Sequence, residues 1–174
     1  LGFNSTALPL DVADTPGAID LNIVGPVVNG DGGGGAGGFV KTGAGKVRFQ
    51  STVTMNNPIA INAGTVAFGG LTTTTGAALS ISNATLENTA QFNAGTITFT
   101  NATGTIGGHL VGAGKISILG GSNVTATNFG LYTSASGYEV TGSTLILNNT
   151  TAGAKLSGGQ TMTIGNGGDR KSVV

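Results

Sequence analysis

A short string that recurs along the chain constrains its fold more than any other feature. Each copy has a turn of small residues, then mostly Lys or Thr, then an apolar–x–apolar strand pattern. The copies are Gly43–Phe49, Asn62–Phe68, Asn93–Phe99, Gly112–Ile118 and Thr141–Leu147, with a partial sixth copy at Thr161–Ile164. A shorter and a longer interval alternate between successive full copies. Repetition of a short unit that cannot bury its own apolar side is typical of solenoids.

Stacking of these units predicts how the interior is filled. Gly and Asn before each strand suit corners, where a positive φ costs Gly nothing and Asn little. The sequence therefore predicts an all-β fold, a right-handed parallel β-helix that is a fragment of a longer solenoid. Aligning the copies predicts one inward column of Val47, Val66, Ile97, Ile116 and Leu145. A second predicted column contains Phe49, Phe68, Phe99, Ile118 and Leu147.

An antiparallel sandwich is the alternative all-β architecture, because it also uses short strands separated by turns. It does not explain why the same corner-and-strand string recurs at regular intervals. A sandwich core also usually holds more aromatic side chains than the seven Phe and two Tyr of this chain. The parallel solenoid is the better prediction.

Composition excludes several other classes. The 33 glycines lack the period of collagen, and no run is long and apolar enough to predict a transmembrane helix. Seven acidic and seven basic residues give a net charge of zero, so no field that attracts nucleic acid is expected. The absence of Cys fits a chain that is exported through an oxidising compartment.

The two ends of the sequence carry separate expectations. The chain starts at Leu1, and no secretion signal is visible there. Asp169–Val174 holds two of the seven basic residues and resembles the translation of a sequencing adapter. We expect a β-helical repeat region over residues 1–168, with its clearest repeat at 37–69, and a non-native adapter-derived tail over 169–174. The sequence would then derive from a metagenomic fragment.

Residues 37–69 also carry a family resemblance. Gly38–Gly45 reads Gly-Phe-Val-Lys-Thr-Gly-Ala-Gly, and Asn62–Val66 reads Asn-Ala-Gly-Thr-Val. This stretch resembles the autotransporter-associated β-strand repeat of bacterial passenger regions. It departs from the family in the link Val53–Pro58, where the usual Tyr-Thr-Gly is absent. The weaker string His109–Ile118 is similar to the same repeat.

The resemblance implies a location and partners. It implies export from a Gram-negative type bacterium, display at the cell surface, in the outer membrane or outside the cell, and a C-terminal β-barrel translocator of the same polypeptide. The predicted function is a structural or adhesive passenger segment, a stalk that contacts a host or neighbouring-cell surface or its glycans. The alternatives are the non-catalytic scaffold of an exported hydrolase or protease, and a free secreted solenoid that binds glycan or ice.

Tests for nucleotide-binding chemistry fail. A P-loop requires Ser or Thr after Gly-Lys, but Val47 follows Gly45-Lys46, and Ile116 follows Gly114-Lys115. Gly33, Gly35 and Gly38 match the dinucleotide fingerprint only because the tract is nearly all Gly, and a strand follows it where a helix is needed.

Candidates for catalysis or metal binding are few. His109 is the only histidine and has no Cys or nearby carboxylate in the sequence. Asp11, Asp14 and Asp20 lack the spacing of a calcium loop, and Asp31 is expected to cap a turn. The sequence therefore predicts no enzyme, no catalytic or cofactor-binding residue, and neither a metal nor a cofactor.

Threonine rows raise the possibility of ice binding. Thr96, Thr98 and Thr100 alternate along one segment, as they would on a flat solenoid face. β-branched propensity on a solvated strand explains the same pattern. The expected outward positions Arg48, Ala67, Thr98 and Ser117 predict no threonine ladder.

Overall fold

The computed structural model describes residues 2–3, 7–29, 37–70, 72–74, 77–108, 110–112, 114–127, 131–134, 136–148 and 162–165. The described residues contain 22 strands and no helix, so no described helix could cross a membrane. The strands pair in parallel with the equivalent strand one turn earlier and one turn later. The prediction of an all-β parallel solenoid is confirmed.

The largest sheet, called sheet 1, has eight strands. They are β2 (Leu8–Asp11), β5 (Phe39–Thr42), β8 (Ile59–Ile61), β11 (Leu79–Ser82), β14 (Ile97–Thr100), β17 (Ile116–Leu119), β20 (Tyr138–Thr141) and β22 (Met162–Ile164). From β5 to β11, the first inward position falls at Phe39, Ile59 and Leu79, which are register partners. One turn of the solenoid therefore runs from each of these positions to the next.

Sheet 2 has seven strands and follows sheet 1 in each turn. They are β3 (Leu21–Ile23), β6 (Lys46–Phe49), β9 (Thr65–Phe68), β12 (Thr85–Asn88), β15 (Thr103–Ile106), β18 (Asn123–Thr127) and β21 (Thr144–Asn148). Where burial is described, its strands alternate between buried and more exposed residues, as in β6 and β15. One face of the sheet is therefore turned to the core.

Sheet 3 closes each turn and has five strands. They are β7 (Val53–Met55), β10 (Thr72–Thr74), β13 (Phe92–Ala94), β16 (Leu110–Gly112) and β19 (Leu131–Ser134). A parallel pair of β1 (Gly2–Phe3) and β4 (Val28–Asn29) continues it, since Val27 bridges to Val53. The cross-section thus has three sides around one apolar core.

The predicted inward columns are wrong in their membership. Val47, Val66 and Leu145 lie in sheet 2, whereas Ile97 and Ile116 lie in sheet 1. In the second column, Phe99 and Ile118 likewise belong to sheet 1 and the other three residues to sheet 2. The physical reason is that the same small-residue corner precedes strands of two sheets. The longer intervals between copies are therefore one full turn plus part of another.

The inward direction of these side chains was nevertheless predicted correctly. Nine of the ten are buried, and Leu147 packs against the core while partly exposed. The partial copy at 161–164 also forms a strand where it is described, because Met162–Ile164 pairs with β20.

The corner from sheet 1 to sheet 2 explains the Gly and Asn residues of the repeat. Gly43, Gly64, Asn83, Asn101 and Gly142 adopt positive φ at this corner in different turns. At Gly64 an added Cβ would lie 2.5 Å from the carbonyl oxygen of Gly45, so the turns approach too closely for a side chain. The stacked corner keeps the strands of successive turns in register.

The core changes in character along the stack. Four phenylalanine rings meet in the N-terminal turns. Phe49 and Phe68 stack with centroids 5.2 Å apart, Phe39 lies 5.5 Å from Phe49, and Phe92 packs edge-on against Phe68 at 5.2 Å. In the later turns the buried residues include Ile116, Ile118, Val124 and Ala126. All of these residues belong to one continuous hydrophobic cluster.

Candidate binding surfaces

The outer face of sheet 2 carries a group of three charged side chains, Lys46, Arg48 and Glu87. Arg48, Ala67 and Glu87 occupy one outward row on the adjacent strands β6, β9 and β12. Lys46, Thr65 and Thr85 form the neighbouring outward row on the same strands. Strand spacing of about 4.8 Å places residues two turns apart within reach of a long side chain.

An ion pair spans the middle strand of this group. The Nζ of Lys46 donates to both carboxylate oxygens of Glu87, at 3.0 Å and 2.8 Å. The pair is 28% and 41% exposed, so solvent weakens its attraction. Thr65 lies on the middle strand, β9, and its short side chain leaves room for the Lys46 side chain to reach Glu87.

A cleft of about 180 Å³ opens beside this ion pair. Its lining includes Ile19, Lys46, Arg48, Ala67, Glu87 and Thr89. The small side chain of Ala67 between Arg48 and Glu87 gives the cleft its floor. The sequence alone does not reveal this group, because its members are widely separated along the chain. The signal that would have found it is the length of one turn, which places Glu87 two turns after Arg48.

A lysine is buried at the corner where β5 of sheet 1 leads into β6 of sheet 2. Lys41 is fully buried. Its Nζ donates to the carbonyl oxygens of Thr42 at 2.6 Å, Gly43 at 2.7 Å and Ala63 at 3.3 Å. Burial lowers the pKa of Lys41 below its ordinary value, although the nearby carboxylates of Asp11 and Asp20 oppose that shift. The ammonium group connects two successive turns and is closed to ligands.

Asp20 closes the loop between Thr15 and Asp20, which contributes Ile19 to the lining of the cleft. Its carboxylate accepts hydrogen bonds from the hydroxyl and main-chain N–H of Thr15 and from the main-chain N–H of Lys46. These hydrogen bonds, the Thr15 hydroxyl foremost, hold the pKa of Asp20 below its usual range. Asp11 accepts from the Thr42 hydroxyl at 3.2 Å. Asp11 and Asp20 therefore link the corner between β2 and β3 to the corner between β5 and β6 by hydrogen bonds.

No metal centre is formed by the described residues. They contain no group of three or more His, Cys, Asp or Glu side chains that could hold an ion. His109 and Asp31 lie outside the described residues, as do Gly33, Gly35 and the tail 169–174. Gly45 precedes β6 of sheet 2, whose first residue is Lys46, and Gly114-Lys115 precedes β17 of sheet 1.

Threonine does form a short row, although the outward positions inferred from the sequence predicted no threonine ladder. Arg48 and Ala67 belong to sheet 2, whereas Thr98 and Ser117 belong to sheet 1, so the four expected positions are not one row. The observed row lies on sheet 2 and consists of Thr65, Thr85 and Thr103. The hydroxyl oxygens of Thr85 and Thr103 are 2.7 Å apart. Asn123 interrupts the row on the next strand.

Comparisons with known proteins give no relative. No family model matches the chain, and neither the curated proteins nor the solved structures contain a match. The resemblance of residues 37–69 to the autotransporter-associated repeat therefore stays a prediction.

Proposed function

We propose that this chain is a structural segment of a secreted bacterial surface protein, in which a β-solenoid stalk presents binding surfaces away from the cell. The proposal assigns it to the surface or exterior of a Gram-negative type bacterium, with no catalytic role of its own.

The observation that carries the proposal is the unbroken parallel register of sheet 1 from β2 to β22. Each turn adds about 4.8 Å along the axis, so the eight strands span about 34 Å. The outward residues of the described strands are mostly Thr, Ser, Asn and Ala, which suit contact with water and with neutral surface polymers. A stack of this kind is a rod whose length grows with the number of turns.

Surface display of the chain tests the proposal. The full chain is placed between a secretion leader and the translocator of an established autotransporter, and produced in a Gram-negative host. We expect antibody raised against the chain to label intact cells. We also expect the displayed chain to resist external protease, because its backbone is paired between strands.

A matched variant separates folding from export. Gly64→Val places a branched side chain against the carbonyl oxygens of Gly43, Ala44 and Gly45, so the displayed variant should be digested quickly. Retention of the unaltered chain inside the cell, or digestion at the rate of the variant, would contradict a folded surface stalk.

Ice binding is a second candidate, favoured by the row of Thr65, Thr85 and Thr103. These strands present methyl and hydroxyl groups at the regular spacing of a parallel sheet. The test is growth of ice crystals in the presence of the purified chain. Thr103→Lys should abolish any inhibition, while Ser117→Lys on sheet 1 should retain it; unimpeded growth with the unaltered chain rejects this candidate.

A further inference from the structure

The cleft on sheet 2 has the shape of a site for one small polar group. Its volume of about 180 Å³ equals that of about six water molecules. Ile19 and Ala67 supply apolar surface, and Arg48, Glu87 and Thr89 supply polar atoms. This combination of an apolar wall with a few convergent polar groups is typical of ligand sites.

The charged side chains that line the cleft do not balance one another. Lys46 and Glu87 neutralise each other in their ion pair. The described residues form one other ion pair, Lys115 with Glu139, so Arg48 takes part in neither. The Asp20 carboxylate is held outside the lining by Thr15 and by the main-chain N–H of Lys46, although its neighbour Ile19 lines the cleft. The exposed guanidinium of Arg48 therefore leaves an excess of one positive charge among the groups that line the cleft.

The chemistry of these groups selects an anionic, hydroxylated ligand. A guanidinium group presents paired N–H donors that match the two oxygens of a carboxylate. The Glu87 carboxylate accepts hydrogen bonds from ligand hydroxyls. The Thr89 hydroxyl donates to the Phe68 carbonyl at 3.3 Å, which leaves its lone pairs as acceptors. A sugar ring with a carboxylate satisfies all three groups and lays its C–H surface on Ala67.

We propose that this cleft binds one carboxylate-bearing sugar unit of an acidic polysaccharide, with Arg48 holding the carboxylate and Glu87 and Thr89 contacting ring hydroxyls. The inference rests on the proposed surface role only in naming a polysaccharide as the source of the carboxylate. It adds a specific ligand class to a stalk that otherwise has only general surface contacts.

Titration of the purified full chain with trigalacturonate, followed by amide NMR shifts, tests the proposal. We expect saturable shifts at residues 67–69 and 87–89, and none with the neutral trisaccharide maltotriose. Arg48→Gln should weaken binding at least tenfold. Arg48→Lys should give an intermediate loss, because it keeps the charge and removes the paired donors.

Lys115→Gln is the matched control, because Lys115 is also an exposed cation but lies away from the cleft. It should bind trigalacturonate like the unaltered chain, and unshifted resonances elsewhere should show that each variant is folded. Equal binding by Arg48→Gln, equal binding of maltotriose, or no binding by the unaltered chain would overturn the proposal. So would equal binding of a glutamate tripeptide, which would assign the cleft to acidic peptides. None of these results affects the display test, so the two proposals fail separately.

Discussion

The N-terminal and C-terminal turns satisfy the same corner between sheets 1 and 2 with different chemistry. In the N-terminal turns, the buried ammonium group of Lys41 donates to carbonyl oxygens of two successive turns. In the C-terminal turns, the neutral hydroxyl groups of Ser122 and Ser143 form the hydrogen bonds at this corner. The main-chain N–H of Ala102 donates to the Ser122 hydroxyl, which donates to the Leu119 carbonyl; the N–H of Ser122 donates in turn to the Ser143 hydroxyl.

The two regions also fill their interiors differently. Phe39, Phe49, Phe68 and Phe92 pack ring against ring in the N-terminal turns. On sheet 2, the inward row that holds Phe68 continues through Asn88 and Ile106 to Ala126. Strand pairing and corner conformation therefore define the turn, while its interior can vary. This variation is tolerated when side chains fill the interior volume and the polar groups of the corner form hydrogen bonds.

The largest expected effect comes from removing an aromatic ring. Phe68→Ala should lower the free energy of unfolding by about 3–5 kcal/mol, because its buried ring contacts Phe49 and Phe92. Ile106→Ala, two turns later in the same inward row, should cost about 2–5 kcal/mol and less than Phe68→Ala. Urea unfolding followed by circular dichroism measures both. A larger loss for Ile106→Ala would contradict the expectation that the aromatic rings contribute more to the free energy of unfolding.

Two corner glycines, one in the N-terminal and one in the C-terminal turns, should respond differently to substitution. Gly64 and Gly142 both have positive φ, but only Gly64 has neighbouring atoms within 4 Å of an added Cβ. Gly142→Ala should cost about 1–2 kcal/mol of conformational strain. Gly64→Ala should cost about 1–3 kcal/mol more, because three carbonyl oxygens crowd the new methyl group. Equal urea midpoints for the two variants would show that the N-terminal corner is not tightly stacked.

Loss of a corner hydroxyl should have a smaller effect. Ser122→Ala removes the acceptor of the buried Ala102 N–H, and we expect a loss of about 1–3 kcal/mol. Ser117→Ala on the outer face of sheet 1 should change the free energy of unfolding by less than about 0.5 kcal/mol. Hydrogen exchange should show faster exchange of the Ala102 amide in Ser122→Ala alone; unchanged exchange would mean that the hydroxyl is not its acceptor.

The smallest expected effect is an opposite dependence on pH in the two regions. The pKa of Lys41 is lowered by burial, so between that pKa and 10.5 the unfolded chain binds more protons than the folded chain. The free energy of unfolding should therefore rise with pH in this window. Burial raises the pKa of Tyr138, so the unfolded chain loses the phenol proton first above pH 10.0, and the free energy of unfolding should fall there.

Two variants separate these opposing slopes. Lys41→Met should remove the rise in the free energy of unfolding below pH 10.5. Tyr138→Phe should remove the fall in that free energy above pH 10.0. Urea unfolding at closely spaced alkaline pH values gives both slopes. A Lys41→Met variant with the slope of the unaltered chain would contradict the buried ammonium group.

The sequence predicted the fold class because its corner residues are local signals. Gly43 and Gly64 mark positive φ, and the apolar–x–apolar strands mark the buried face. Membership of the columns could not be predicted in the same way, because Gly64-Thr65 and Gly95-Thr96 look alike but open strands of different sheets. Only the pairing of each strand with its neighbours tells the two corners apart.

The candidate site could not be predicted from the sequence either, because its contacting residues lie in different turns. Lys46 and Glu87 lie two turns apart, and their contact depends on the short side chain of the intervening Thr65. Lys41 looks like an ordinary surface lysine in sequence, and its burial follows from an inward position next to open carbonyl groups. Both features become visible once the turn length is known.

Cysteine cross-linking tests the assignment of strands to sheets most directly, and the chain contains no other Cys. Thr65 and Thr85 are register partners on sheet 2, so the double variant Thr65→Cys/Thr85→Cys should form a disulfide under mild oxidation. Thr65 and Thr96 follow the same corner string but precede or occupy strands of different sheets, so Thr65→Cys/Thr96→Cys should stay reduced. Cross-linking of the second pair and not the first would contradict the three-sheet register.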